Sequence, residues 1–159
     1  MTTIAIAVDF ARERYSQYLV EEFIPMIAEH YAEVSGTPDI PVDPDWAMYD
    51  KLDAMDRLAI FTARAEEVLI GYSIFYLGPH PHHRDTKQAM QDILYIHPRY
   101  REGALGSRLI SFCNEELWKL GVVCVYSGVT EKRDFSPVLL RLGFKKTETM
   151  YMKRLDREV

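Results

Sequence analysis

The chain has 159 residues, of which 48% are hydrophobic and 27% charged, the composition of a globular protein large enough for one buried core. Its net charge of −5 argues against general nucleic-acid binding, and no apolar run approaches the ~20 residues of a membrane span. Residues 1–96 hold 7 Lys and Arg against 16 Asp and Glu, whereas residues 97–146 hold 9 against 5. A basic second half suits an anionic cofactor, and an acidic first half suits a cationic amine.

The first third of the sequence is predicted to be mostly helical. Thr2–Val8 is either a short strand or a disordered start. Phe10–Val34 has apolar residues at helical spacing and predicts a long helix, in which Pro25 can introduce a break. An extended proline-containing linker follows, and Asp45–Asp56 predicts a second helix. Aromatic and methionine residues here either pack in the core, which their spacing favours, or line an acceptor pocket: Tyr15, Phe23, Met26, Tyr31, Trp46 and Tyr49.

The middle of the chain predicts antiparallel strands. Arg57–Arg64 and Val68–Leu77 form a hairpin, since a short polar turn separates two runs rich in strand-forming residues. Gly78–Lys87 is predicted to be a polar loop. Gln88–Ile96 is predicted to be the next strand, which Pro98 ends.

The last third alternates helices and strands. Ala104–Leu120 predicts an amphipathic helix, and the apolar run Val122–Val129 predicts a strand buried on both faces. Asp134 or Ser136 caps a short helix, and Lys145–Leu155 alternates as a final strand. The order predicts an α/β fold with a mixed sheet of six or seven strands and about four helices.

The turn between the third predicted strand and the helix after it is the most informative segment. A strand that turns through small residues into a helix leaves backbone N–H groups at the positive end of the helix dipole, which suits a pyrophosphate. The pattern Arg101-x-x-Ala104-x-Gly106 resembles the acyl-CoA pyrophosphate loop of the GNAT superfamily of N-acyltransferases, with one glycine replaced by alanine. Arg99 and Arg108 add positive charge beside this turn.

A second segment strengthens the resemblance. Leu140–Phe144 is similar to the Lys/Arg-x-Gly-Phe landmark that closes a short helix in the same family. The resemblance implies a single GNAT domain over residues 1–159, with residues 68–155 as the acyl-CoA-binding core and residues 1–67 as the variable, substrate-facing part.

The resemblance implies that acetyl-CoA is the cosubstrate. The strand before the turn would splay from its neighbour and pair its backbone with the pantetheine arm, and the Ile96 N–H would stabilise the oxyanion. The residues implied to bind acetyl-CoA are Leu94, Tyr95, Ile96, Arg101, Glu102, Gly103, Ala104, Leu105, Gly106 and Ser107.

Two residues are candidates for proton transfer. Asp92 precedes the implied oxyanion donor, and strand alternation predicts that it shares a face with Leu94 and Ile96, where apolar neighbours would raise its pKa and favour a role as general base. The alternative is a structural hydrogen bond or ion pair. The general-acid tyrosine that is frequent in the family is absent, because its position is Leu139. Tyr126 on the neighbouring strand is the candidate to substitute for it, although a core aromatic in this position favours a packing role.

The cysteines and histidines are given simpler interpretations. Cys113 and Cys124 are predicted to be reduced core residues. His80, His82 and His83 could bind a divalent ion, but a closed site needs a fourth ligand, so we expect a solvated or substrate-facing loop and no metal.

The resemblance, together with these observations, implies a cytoplasmic N-acetyltransferase that transfers an acetyl group from acetyl-CoA directly to an amine in a ternary complex. The start of the chain lacks the features of a signal peptide. The acceptor would be a small-molecule primary amine or a protein lysine, with no nucleic-acid or membrane partner and with a homodimer as one option. The alternative is a weakly active or inactive GNAT-fold module that binds acyl-CoA or a protein partner.

Overall fold

The computed structural model describes residues 7–156 as one five-stranded sheet with helices on both faces. The strands are β1 (Asp9–Glu13), β2 (Leu58–Ala65), β3 (Val68–His80), β4 (His83–Ile96) and β5 (Cys124–Tyr126). The α-helices are α1 (Gln17–Val34), α2 (Trp46–Ala54), α3 (Leu105–Lys119) and α4 (Ser136–Arg141), and Pro98–Tyr100 forms a 3₁₀ turn before α3.

The strands lie in chain order across the sheet. β1 to β4 pair antiparallel with their neighbours, and β5 pairs parallel with β4. The parallel pair requires a crossover connection, which α3 provides. β5 therefore lies at an edge of the described sheet, and the turn from Arg101 to Ser107 lies where β4 passes into α3.

Two apolar clusters hold the helices against opposite faces of the sheet. On one face, α3 buries Leu109, Cys113 and Leu117 against β2 and β3. On the other face, α1 buries Leu19, Phe23 and Ile27 against side chains of β2, β3 and β4. The mixed α/β prediction is thus confirmed, and residues 7–156 contain four α-helices, in agreement with the predicted number of about four.

The start of the chain differs from the prediction. Asp9–Glu13 is a strand and not the beginning of a helix, because it pairs with β2 and the Glu13 carboxylate bonds the Arg64 guanidinium at 2.8 Å. Three residues after this strand, Ser16 caps α1 by accepting a hydrogen bond from the Leu19 N–H at 3.2 Å. Most of the predicted strand Thr2–Val8 lies outside the described residues.

Pro25 does not break α1, since the helix runs through it from Gln17 to Val34. The proline is on the exposed face of the helix. The carbonyl that loses its intrahelical donor belongs to Glu21, which is also exposed and can bond water instead.

The predicted loop Gly78–Lys87 is mostly strand. β3 and β4 continue their pairing through Gly78 opposite Gln88 and Pro79 opposite Lys87, so that only Pro81 and His82 separate the two strands. Histidine and proline are weak strand formers, but the long pairing of β3 with β4 outweighs this local preference.

The end of the chain also differs from the prediction. The strand predicted over Val122–Val129 is shorter in the structure and includes only Cys124–Tyr126. It is not buried on both faces as predicted, since Val123 and Cys124 are exposed. The predicted strand Lys145–Leu155 is absent, since residues 145–156 pair with no strand in the described part of the chain. Within residues 7–156, the sheet therefore has five strands, fewer than the six or seven predicted.

Candidate acyl-transfer site

A gap between β4 and β5 is the central feature of the site. The two strands pair only from Gln88 to Met90 on β4, opposite Cys124 to Tyr126 on β5. Beyond Met90, β4 continues to Ile96 with no strand on that side among the described residues. The predicted splay is therefore present, and it leaves backbone groups of β4 without a strand partner.

The pairing of β4 with β3 determines which backbone groups face the gap. The His97 N–H donates to the Ile70 carbonyl at 2.8 Å, so the alternating antiparallel pattern turns the Tyr95 and Ile93 backbone groups toward β3 as well. The N–H groups of Leu94 and Ile96 then face the gap. Tyr95, predicted to bind the pantetheine arm, is the exception, because its backbone is used within the sheet.

A β-bulge at Asp92 changes the face on which this residue lies. Ile93 is opposite Ile74 and Gln91 is opposite Phe75, which leaves Asp92 as the extra residue. The predicted common face of Asp92, Leu94 and Ile96 is therefore wrong. Leu94 and Ile96 pack against the α3 side, whereas Asp92 faces α2.

Asp92 forms a short hydrogen bond with a tyrosine of α2. The Tyr49 hydroxyl donates to Asp92 Oδ2 at 2.6 Å, and the Tyr49 and Tyr76 ring centroids are 6.3 Å apart. Burial, and then the bond to Asp92, raise the pKa of Tyr49 well above its ordinary range, so the phenol keeps its proton. The apolar burial predicted for Asp92 is wrong, because the carboxylate is exposed at the mouth of the gap.

Trp46 and Tyr76 complete an aromatic wall around this carboxylate. The Trp46 and Tyr49 ring centroids are 5.7 Å apart, and all three rings are partly exposed. Of the residues that the sequence offered as a possible acceptor pocket, Trp46 and Tyr49 lie here, while Phe23 is fully buried against Tyr72. The sequence analysis did not identify Tyr76, because nothing in the sequence distinguishes a tyrosine of a binding site from a tyrosine of the core when both lie in a buried strand.

Tyr126 lies where the β4–β5 pairing ends. It is the last residue of β5 and is opposite Met90. Since Val125 packs toward α3, strand alternation turns the partly buried Tyr126 to the same face as Asp92. Leu139, which replaces the tyrosine of the family pattern, is buried in the core.

The turn from Arg101 to Ser107 leads into α3 as predicted. Ala104 is the N-cap of α3 and no side chain caps the helix, so the N–H groups of Leu105, Gly106 and Ser107 have no intrahelical acceptor. Gly103 has φ of +83°, a conformation that favours glycine. Ala104 has φ of −100°, so the alanine in place of the family's glycine fits without backbone strain.

Arg101 is bound internally and does not extend from the turn. Its Nε donates to the Ile96 carbonyl at 2.6 Å, and its Nη2 is 2.9 Å from Glu33 Oε1 on α1. Its guanidinium also lies over the Tyr95 ring at 5.4 Å. Arg101 therefore connects the turn to β4 and α1, and the backbone N–H groups at the start of α3 are the donors of the turn that lack an intrahelical acceptor.

The other side chains of the turn have separate roles. The Ser107 hydroxyl donates to the Ala104 carbonyl at 2.9 Å, Leu105 is buried in the core, and Glu102 is exposed. Arg108 stacks on Phe10 at 5.2 Å and lines a shallow cavity of about 350 Å³ along α3.

Tyr95 faces α1 with its side chain. Its hydroxyl donates to Glu29 Oε2 at 2.9 Å, and its ring centroid is 5.1 Å from that of His30. Burial, with the bond to Glu29, raises the pKa of Tyr95 to about 12. Together with Arg101, these contacts join the end of β4 to α1.

The histidines of the β3–β4 turn and the cysteines make none of the side-chain contacts described above for this site. The histidines of the β3–β4 turn lie close together, with a His80–His82 centroid distance of 5.1 Å, but His80 Nδ1 accepts the His82 N–H, and no group of metal-ligating residues is found in residues 7–156. Cys113 is buried as predicted, whereas Cys124 is exposed. Burial raises the pKa of the Cys113 thiol above its ordinary range.

None of the described helices is long and apolar enough to cross a membrane.

Comparison with known proteins identifies solved structures with a similar fold. No curated protein sequence matches the chain. A ribosomal-protein-alanine N-acetyltransferase from Brucella melitensis biovar Abortus 2308 is 19% identical, with a TM-score of 0.70 over 94% of this chain and 99% of the other. An aminoglycoside N-acetyltransferase in complex with CoA is 19% identical, with a TM-score of 0.71 over 99% and 100%.

A third similar structure contains acetyl-CoA. It is a predicted acetyltransferase with acetyl-CoA from Clostridium acetobutylicum, 12% identical, with a TM-score of 0.67 over 94% of this chain and 97% of the other. The family model described as "Acetyltransferase (GNAT) family" matches residues 7–144, which include the gap, the bulge and the turn. The chain belongs to the GNAT acetyltransferase family.

Proposed function

We propose that the protein transfers the acetyl group of acetyl-CoA to a primary amine, directly and within a ternary complex. The observation that carries this proposal is the gap between β4 and β5, which ends at the uncapped start of α3. An extended amide-containing arm can pair with a strand edge, and a pyrophosphate can bind at a helix N-terminus. The two features are continuous along the chain, as one long cosubstrate requires.

The described residues fit acetyl-CoA. The N–H groups of Leu94 and Ile96 are free to pair with the pantetheine arm or to stabilise the thioester oxygen as it gains charge. The N–H groups of Leu105, Gly106 and Ser107 are free to bind the pyrophosphate. When bound, acetyl-CoA supplies a thioester carbon to which the amine nitrogen forms a bond as the carbon–sulfur bond breaks.

Asp92 is the group proposed to remove the proton from the amine. A primary amine enters as an ammonium ion and has to lose protons to form an amide. The exposed Asp92 carboxylate lies two residues from the Leu94 N–H, at the mouth of the gap, and the Tyr49 hydroxyl holds one of its oxygens. Tyr126, on the same face, is proposed to provide a proton for the leaving thiolate.

The surroundings of Asp92 support a cationic acceptor. A carboxylate attracts an ammonium ion, and the partly exposed rings of Trp46, Tyr49 and Tyr76 can contact it through cation–π interactions. Small polyamines, aminoglycoside-like amines and lysine side chains share this chemistry. Ribosomal-protein and aminoglycoside acetyltransferases are among the similar structures, so both a protein amine and a small-molecule amine belong in the test.

The test is release of free thiol from acetyl-CoA across a panel of these amines, with the acetylated product identified by mass spectrometry. We expect amine-dependent thiol release that Asp92→Asn lowers and Asp85→Asn leaves unchanged, since Asp85 is an exposed carboxylate of the same strand outside the site. Equal loss in both variants would contradict the role of Asp92.

A second candidate function is binding of acyl-CoA without catalysis. It is favoured by Leu139, which is buried where the family pattern has a general-acid tyrosine. Thermal stabilisation by acetyl-CoA with no thiol release for any amine would support this candidate over the enzyme.

A further inference from the structure

Two exposed carboxylates on the face of the sheet that α1 and α2 cover are each held by a tyrosine. The Tyr49 hydroxyl donates to Asp92 at 2.6 Å, and the Tyr95 hydroxyl donates to Glu29 on α1 at 2.9 Å. Neither carboxylate forms an ion pair within residues 7–156. A tyrosine hydroxyl donates a single hydrogen bond, so each carboxylate keeps acceptor sites for a ligand.

Other acidic residues of α1 differ, because arginines neutralise their charge. Glu33, one turn after Glu29, is 2.9 Å from Arg101 and 3.4 Å from Arg133. Glu22 is 2.7 Å from Arg64. The charges of Glu29 and Asp92 are therefore the ones on this face that remain available to attract a cation from solution.

The two carboxylates are separated by a short length of β4. Tyr95, which holds Glu29, lies three residues after Asp92 on this strand, a distance of about 10 Å. Ile93, between them on β4, and Met26 on α1 are partly buried members of the apolar cluster on the same face. Two negative ends with an apolar middle suit an aliphatic chain that carries a positive charge at each end.

A buried hydroxyl without a partner lies close to both carboxylates. Tyr72 is opposite Tyr95 on β3 and is fully buried, and the two ring centroids are 5.9 Å apart. Its hydroxyl makes no hydrogen bond within residues 7–156. Burial raises the pKa of Tyr72, and Tyr95 and the Asp92 carboxylate add to this rise, so the hydroxyl is within electrostatic reach of both. Since buried polar groups are normally paired, this hydroxyl points to a polar group that a ligand brings.

On the basis of the proposed function, we infer that the acceptor is a linear polyamine with a primary ammonium group at each end and a secondary amine between them. The reacting end binds at Asp92, the far end binds at Glu29 about 10 Å away, and the Tyr72 hydroxyl pairs with the secondary nitrogen. Glu29 is thus a specificity-determining residue, which contacts the end of the substrate that does not react. The reacting ammonium loses two protons as its nitrogen bonds to the thioester carbon and the carbon–sulfur bond breaks; one proton ends on the CoA thiol and the other passes to solvent.

The first test compares three acceptors of matched length by initial-rate thiol release. They are the linear eight-carbon monoamine, the eight-carbon diamine with an amine at each end, and the triamine in which one inner carbon of that diamine is replaced by nitrogen. We expect the KM to fall about fivefold from the monoamine to the diamine and about fivefold again to the triamine, with similar kcat, because each step adds one bond away from the reacting end.

The second test uses variants of the two anchoring residues. Glu29→Gln keeps an oxygen to accept the Tyr95 hydroxyl, and it should raise the KM of the diamine to that of the monoamine while leaving the monoamine unchanged. Tyr72→Phe should raise the KM of the triamine to that of the diamine, without a lower melting temperature, because the hydroxyl that it removes has no partner in the described chain. Glu21→Gln is the matched control, since Glu21 is an exposed glutamate about 12 Å earlier on α1, and it should leave all three KM values unchanged.

Equal KM values for the three acceptors, or an equal loss for monoamine and diamine in Glu29→Gln, would overturn the inference and leave the proposed acetyl transfer intact. Absence of thiol release for every amine would contradict the proposed function instead. Calorimetric titration of the triamine separates the two failures: binding that Glu29→Gln weakens and Glu21→Gln does not supports the polyamine site, and no binding overturns it.

Discussion

The hydrogen bond from Tyr49 to Asp92 gives the most specific prediction about the site. If Asp92 is the general base, Asp92→Asn should lower kcat/KM for the amine by about 100-fold, equal to about 2.7 kcal/mol of transition-state free energy. A hydrogen bond to a charged group contributes ~1.5–3 kcal/mol when buried, and the exposure of Asp92 reduces that to about 1 kcal/mol. Tyr49→Phe should therefore lower kcat/KM about fivefold.

The two substitutions form a double-mutant cycle. If Tyr49 acts by holding the Asp92 carboxylate, Tyr49→Phe should have almost no effect in the Asp92→Asn background. The assay is initial-rate thiol release at saturating acetyl-CoA over a series of amine concentrations, with the melting temperature of each variant as a control for folding. Independent, multiplicative losses would refute the coupling, and wild-type rates for Asp92→Asn across pH would refute the base itself.

Three further predictions concern stability. Arg101→Gln should lower the melting temperature, by ~2–4 °C for each kcal/mol of unfolding free energy lost, because Arg101 bonds the turn to β4 and α1. Arg99→Gln is the control, since Arg99 is exposed, and it should leave the melting temperature unchanged. Equal melting temperatures of the two variants in a thermal scan would contradict this prediction. Gly103→Ala should lower the free energy of unfolding by about 1 kcal/mol through the positive φ alone, since nothing lies within 4 Å of the added carbon. Gly106→Ala should leave the free energy of unfolding in urea unchanged or raise it. A larger loss for Gly106→Ala than for Gly103→Ala would contradict the turn geometry. Burial lowers the pKa of His30, so the unfolded chain binds more protons than the folded chain, and the melting temperature should fall as the pH drops below ~6.5. His30→Gln should reduce this fall. If the melting temperature of the variant depends on pH as steeply as that of the unmodified protein, other groups cause the dependence.

The parts of the fold that depend on local pattern could be predicted from the sequence. The α3 helix lies within one residue at each end of its predicted span, since its apolar stripe and Gly121 mark it clearly. The turn from Arg101 to Ser107 is predictable from its small residues and from a family resemblance. Its backbone conformation explains why alanine is accepted at position 104.

The parts that depend on pairing could not be predicted. The bulge at Asp92 has no signature in the sequence, and one extra residue reverses the face of the side chain relative to Leu94. The salt bridge from Arg101 to Glu33 joins residues 68 positions apart, so its partner could not be read from the turn. The alternating pattern over residues 145–155 predicts a strand, but the pattern does not show whether a neighbouring strand is available, and these residues pair with no described strand.

Amine-dependent release of free thiol from acetyl-CoA tests the central claim most directly. The account predicts that an amine of the panel raises thiol release well above hydrolysis, yields the acetylated amine, and loses this activity in Asp92→Asn but not in Asp85→Asn. Stabilisation by acetyl-CoA without acetylated product for any amine would contradict catalysis. No stabilisation by acetyl-CoA at all would contradict the cosubstrate site.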